Sequence, residues 1–158
     1  MNSLVNNIKK INIFKNVPYI LPNINVSTCL TSKIYYNYKN NIECKNVLEY
    51  VNMETYEKIL FYRNNLLECF FIYWKQNSMC KIHDHSENGC YFKILNGSLN
   101  EYVYDTNLNL IEMSVYPKNH IGYIDNTIGY HKMENLNDEL VTSLHIYSPP
   151  NYKGNVFN

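Results

Sequence analysis

Two of the five histidines form the triplet His83-Asp84-His85. On an extended chain residues i and i+2 face the same side, so both imidazoles converge. A third histidine from a distant strand would complete a facial set of three nitrogens. His120, His131 and His145 are the remaining histidines. Neutral imidazoles suit iron, copper, nickel or zinc, and the residue types alone do not choose among them. Three protein ligands leave positions open for substrate, whereas a closed structural zinc site takes four. A His-x-His triplet also arises by chance on a polar surface.

Ser143, His145 and Tyr147 alternate along one stretch and therefore share a face. Buried, they need partners and would form a connected polar chain; at an edge they would simply face water. Arg63 is the only arginine, every other basic residue being lysine. Its planar guanidinium can hold a carboxylate through two hydrogen bonds, although a surface arginine is the plainer reading. Cys80 stands three residues before His83, and on a strand that odd offset turns it to the opposite face, into the core.

The elements that must position these groups are short strands. Aromatic and β-branched runs cut by Asn, Gly and Pro predict strands at about 59–64, 69–75, 80–85, 89–95, 99–105, 110–116, 121–124, 129–134 and 140–147. Asn96-Gly97 marks a hairpin, and Pro149-Pro150 ends the last strand. No helix separates successive strands, so an all-β sandwich or barrel is expected rather than a parallel α/β sheet. Val47, Leu48 and Val51 predict a short helix from Asn41 to about Asn52, with a further helical turn through Glu54–Lys58. Residues 1–40 carry Pro18 and Pro22 and read as a leader or N-terminal extension; one domain is expected over 41–158.

The chain has 158 residues, 14 basic and 14 acidic side chains, and zero formal net charge. That length buries a real core in one domain. A neutral chain without a basic block argues against nucleic-acid partners, and no apolar run approaches a membrane span. Five cysteines, an odd number without a Cys-x-x-Cys pair, suit free thiols in a reducing compartment. The N-terminus lacks an unbroken apolar segment and a cleavage site, so a cytoplasmic address is expected; a monomer is expected as well.

Several motifs together resemble one family. They are Tyr62-Arg63-Asn64, Ile82-His83-Asp84-His85, Cys90, Leu95-Asn96-Gly97-Ser98-Leu99, the run Tyr123 to His131, Glu134-Asn135, and Ser143-Leu144-His145-Ile146-Tyr147-Ser148-Pro149-Pro150. In order and spacing they resemble the two-part cupin signature in its cysteine dioxygenase form, over roughly 59–158. Most cupins place a glutamate ligand where Cys90 stands here.

The resemblance implies a cupin β-barrel and a single Fe(II) held by His83, His85 and His131. It implies dioxygenation of the L-cysteine thiol by O2 to cysteine sulfinic acid. Arg63 would hold the substrate carboxylate. Ser143 and His145 would orient the Tyr147 hydroxyl, and Cys90 would form a thioether crosslink with Tyr147. Trp74 would be a barrel-wall residue and His120 a surface one. Phe61 stands where the family has a tyrosine, and Gly89 where it has a histidine. The hairpin after Arg63 is shorter than usual, and only 11 residues follow Tyr147. These departures keep other readings open: another small thiol such as 3-mercaptopropionate, or an inactive ligand-binding cupin.

Overall fold

The computed structural model describes residues 49–52 and 56–158. Within them the chain forms eleven strands. They are β1 (Glu49–Asn52), β2 (Tyr56–Arg63), β3 (Glu68–Trp74), β4 (Ile82–His83), β5 (Cys90–Asn96) and β6 (Ser98–Tyr104). β7 (Leu110–Pro117), β8 (Ile121–Ile124), β9 (Tyr130–Glu134), β10 (Val141–Tyr147) and β11 (Val156–Phe157) follow. All pairings are antiparallel, in a six-stranded sheet β1-β2-β3-β10-β5-β8 and a five-stranded sheet β11-β4-β9-β6-β7.

The all-β expectation therefore holds, and most strands fall within a residue or two of their predicted places. The helical readings are corrected where they can be compared. Glu49–Asn52 is strand β1, and the expected turn at 56–58 opens β2. The rest of the expected helix, from residue 41 to 48, lies outside the described residues, as does the leader.

β3 is buried along its whole length, so the larger sheet is apolar on both faces. One face carries Ile59, Phe71, Tyr73, Leu144 and Ile146. The other carries Leu60, Phe70, Ile72, Trp74, Phe92 and Ile94, and packs with Leu99 and Met133 of the smaller sheet. β6 shows the two-residue period cleanly: Leu99, Glu101 and Val103 are buried while their neighbours are half-buried. Gly97 closes the β5–β6 hairpin with φ of 76°, and a Cβ there would sit 2.6 Å from Val141 Cγ2. Both facts require glycine.

Two features of this framework set the site. β4 is paired to β9 at a single register point, His83 opposite His131. In the larger sheet, β2, β3, β10 and β5 align inward-facing rows: Lys58, Ile72, Ser143 and Ile94 in one, and Leu60, Phe70, His145 and Phe92 in the next.

Candidate metal centre

His83 ends β4, His131 lies on β9 and His85 follows β4 by two residues. Their ring centroids are 4.7 Å (His83–His131), 4.5 Å (His85–His131) and 5.3 Å (His83–His85) apart. One nitrogen from each lies within 4.8 Å of the other two. Three imidazoles this close can share one ion after small ring rotations.

The surroundings say which nitrogen faces the common point. His83 Nδ1 is 2.9 Å from the Lys81 carbonyl oxygen, so Nδ1–H donates there and Nε2 is left for a ligand role. His131 Nδ1 is 2.5 Å from Glu101 Oε1, which leaves Nε2 likewise. Both ring nitrogens of His85 are buried without a hydrogen-bond partner. A buried polar atom left this way needs an explanation, and a metal ion supplies one. Asn126 fixes His85 through its backbone, accepting from the amide at 2.7 Å and donating to the carbonyl at 2.8 Å.

Burial is the main force holding all three imidazoles below their ordinary pKa. The mutual repulsion of the three, were they charged, adds to it at His85 and His131. They are therefore neutral, the form that binds a metal.

The histidines open onto a cavity of about 110 Å³ whose walls include Tyr56, Lys58, Ile72, Trp74, Cys80, Met133, His145, Tyr147 and Tyr152. It holds several water-sized groups, so it suits a small molecule rather than a polymer.

Trp74 does more than line a wall. Its indole N–H donates to Ser143 Oγ at 2.8 Å. Tryptophan is a donor only, so Ser143 directs its own proton to His145 Nε2, 2.9 Å away. His145 Nδ1–H then points at Cys90 Sγ, 3.7 Å away. The expected polar chain is present and buried, but His145 contacts the cysteine, and its ring stacks on Tyr147 at 6.1 Å between centroids. Tyr147 packs against Cys90, and burial raises the Cys90 thiol pKa to about 12.

Arg63 is not among the residues lining the cavity. Its Nε and an outer nitrogen both lie 2.9 Å from Glu68 Oε2. The cation at the cavity is Lys58, on the same strand, with Nζ 4.0 Å from the Phe70 ring centre and 4.2 Å from that of Tyr147. Tyr56 stacks on Trp74 beside it, at 4.9 Å between ring centres. The period-two row Tyr56, Lys58, Leu60 was the available signal. A bulge between Leu60 and Tyr62 then brings Arg63 opposite Glu68, at the far end of β3 from Trp74.

Cys80 is buried in the core, as expected. It lines the cavity on the histidine side and accepts a hydrogen bond from the Met133 amide at 3.0 Å. Only the opposite-face placement does not hold, because β4 is just Ile82–His83 and no continuous strand joins Cys80 to His83. His120 is not part of the histidine cluster and stacks on Tyr116 at 4.0 Å. Glu101 and Tyr116, which sequence reasoning did not single out, support His131 from behind: the Tyr116 hydroxyl donates to Glu101 Oε2 at 2.8 Å.

The family model for cysteine dioxygenase type I matches residues 7–158. Cysteine dioxygenase type 1 of Danio rerio is 32% identical over 95 residues, covering 55% of this chain and 47% of that protein. The Homo sapiens protein of the same name is 34% identical over 94 residues, with the same coverage of 55% and 47%. The chain thus spans about half the length of the curated relatives it matches. Among solved structures, Bacillus subtilis oxalate decarboxylase superposes with a TM-score of 0.59 at 17% identity, over 69% of this chain and 30% of that one. Lactobacillus farciminis oxalate decarboxylase gives 0.59 at 15% identity, over 70% and 33%. At such identity these two speak for the cupin fold alone.

Proposed function

The chain belongs to the cysteine dioxygenase type I family, and we propose that it is an iron-dependent thiol dioxygenase converting L-cysteine and O2 to cysteine sulfinic acid. The observation that carries this reading is the His83–His85–His131 cluster, with no carboxylate among its ligand atoms, opening onto a small cavity that also holds an ammonium group. Three nitrogen ligands leave positions for substrate. Iron(II), when bound there, supplies the oxygen-binding and one-electron chemistry by which O2 reacts with a thiol.

The protein's own residues bind and orient. Lys58 holds the substrate carboxylate as a point charge, the role first expected of Arg63. Its Nζ sits over the faces of Phe70 and Tyr147, which fixes the ammonium near the cavity. Trp74, Ser143 and His145 form a directed hydrogen-bond chain that keeps the His145 ring and the Cys90 sulfur in place. The Tyr147 hydroxyl, kept protonated mainly by burial, donates to substrate. The balance is one thiol and one O2 consumed, with both oxygen atoms ending on sulfur.

The test is oxygen uptake by the full chain loaded with Fe(II) and given L-cysteine, with ¹⁸O2 used to trace both atoms into the sulfinate. 3-Mercaptopropionate, which shares thiol and carboxylate, and cysteamine, which lacks the carboxylate, complete the panel. Stoichiometric uptake with a carboxylate-bearing thiol supports the reading. Iron-loaded protein that consumes no oxygen with any of the three overturns it.

A further inference from the structure

The three imidazoles are not held alike from behind. His83 is held by a backbone carbonyl, at 2.9 Å from Nδ1. Neither ring nitrogen of His85 has a hydrogen-bond partner. His131 alone is backed by a carboxylate, Glu101, whose Oε1 lies 2.5 Å from Nδ1. That carboxylate is itself fixed by the Tyr116 hydroxyl at 2.8 Å. Both side chains of the His131–Glu101 pair are nearly excluded from water, at 4% and 6% exposure, so the contact is neither screened nor shared with solvent.

We infer that Glu101, fixed by Tyr116, is the positioning residue that locks His131 into the metal-facing orientation and makes it the strongest donor of the three. The inference rests on the metal site proposed above. A histidine ligating through Nε2 must carry its proton on Nδ1, and a carboxylate is the strongest neutralising acceptor that proton can have. Tyr116 occupies Oε2 as a donor, so Oε1 is the oxygen left to accept from His131. β6 and β9 are paired along this stretch, with Val103 opposite His131 and Glu101 opposite Met133. The contact between Glu101 and His131 is therefore a diagonal one within a single sheet, set by strand register rather than by a loop.

The inference sets a rank order. Loss of the Glu101 charge should weaken metal retention by roughly 10–100-fold, the usual effect of removing such an outer partner. Tyr116→Phe, which leaves the carboxylate but frees it to rotate, should act in the same direction and less strongly. Neither change touches the cavity wall.

The experiment measures Zn(II) and Fe(II) affinity of the full chain by competition with a chelator, for the parent, Glu101→Gln, Tyr116→Phe and the exposed control Glu112→Gln. In the Zn(II)-loaded protein, ¹⁵N-resolved NMR of the histidine side chains follows the His131 Nδ1 proton directly. The expected result is a 10–100-fold loss for Glu101→Gln, a smaller loss for Tyr116→Phe and none for the control. The His131 proton should shift upfield in Glu101→Gln while that of His83 stays. A folded Glu101→Gln whose affinity lies within twofold of the parent overturns the inference. Should Glu101→Gln not fold, Tyr116→Phe with unchanged affinity and an unmoved His131 proton overturns it equally. A parent that binds neither metal fails the metal-site reading itself, a distinct outcome.

Discussion

Tyr147 and Cys90 stand directly opposite each other on neighbouring antiparallel strands, Tyr147 at the end of β10 and Cys90 at the start of β5. Directly opposed side chains have Cβ atoms about 5 Å apart, within reach of one covalent bond between their ends. Cys90 is buried, and the half-buried Tyr147 packs against it. The His145 Nδ1–H aimed at the sulfur holds that side chain in place, while burial keeps it as the thiol.

From this placement we expect a thioether. A C–S bond forms between Cys90 Sγ and the ring carbon beside the Tyr147 hydroxyl. The thiol hydrogen and that ring hydrogen leave, and O2 takes the two electrons. Intact mass after incubation with Fe(II), cysteine and air should fall by two hydrogens, resist reductant, and not fall in Cys90→Ala. An unchanged parent mass after many turnovers would show that the pair stays open.

Lys58 and Arg63 make opposite predictions for the carboxylate anchor. Removing the ammonium in Lys58→Met loses a charge-assisted contact of about 1.5–3 kcal/mol, so KM for L-cysteine should rise roughly 10–100-fold. Arg63→Ala instead breaks the pair with Glu68 and should cost stability while leaving KM within about threefold. Oxygen-electrode kinetics of both variants decide the matter. A large KM effect confined to Arg63→Ala would return the role to the arginine.

The difference between these two cations shows where the sequence was readable. The strands of the barrel were legible because aromatic and β-branched runs alternate between turn residues, as in Ser98–Tyr104. The three imidazoles were legible because His83-Asp84-His85 has a spacing with its own geometric meaning. Lys58 was not, because the strand was read as starting at residue 59, which left Lys58 in an expected helical turn. Nor does any local pattern announce the bulge after Leu60 that sets where Arg63 lies. Gly89, noticed only as a missing histidine, has a plain reason: its φ is 81° and a Cβ would meet the Ile124 carbonyl oxygen at 2.4 Å. Such close approaches arise between strands distant in sequence. The Glu101 contact behind His131 is of the same kind, spanning 30 residues.

Asp84 sits between two metal-centre histidines and borders the same cavity, with its carboxylate committed to Asn155. Its carboxylate accepts from the Asn155 amide and the Asn155 side-chain nitrogen, each at 2.7 Å. This holds β11 against β4, and Tyr152 and Gly154 of the same segment line the cavity. Asp84→Ala should remove two charge-assisted bonds and release the segment, at a cost of roughly 2–4 kcal/mol. Hydrogen exchange should then rise at least tenfold for the Asn155 amide, with little change in β10. Retained protection there would mean that the segment is held by β11 packing alone.

The buried imidazoles also set a pH limit on the metal-free protein. His85, His131 and His145 are 2–3% exposed. Burial holds each of them below the ordinary histidine pKa, with further contributions from His131 and His83 at His85, from His83 at His131, and from Lys58 at His145. In the unfolded chain each takes up a proton near pH 6.5, while the folded chain refuses it. A histidine with a lowered folded pKa is neutral in both states above that pH and contributes nothing there. Below it the unfolded state binds more protons, so stability falls as pH drops. The slope is up to about 1.4 kcal/mol per pH unit for each imidazole, or roughly 4 for the three. Denaturant midpoints of the apo protein should therefore be level above about pH 7 and decline steeply below about pH 6, on the scale set by that reference pKa. His145→Gln should reduce the slope by one proton. A midpoint that stays level through the acid range would show that the fold admits the charged rings after all.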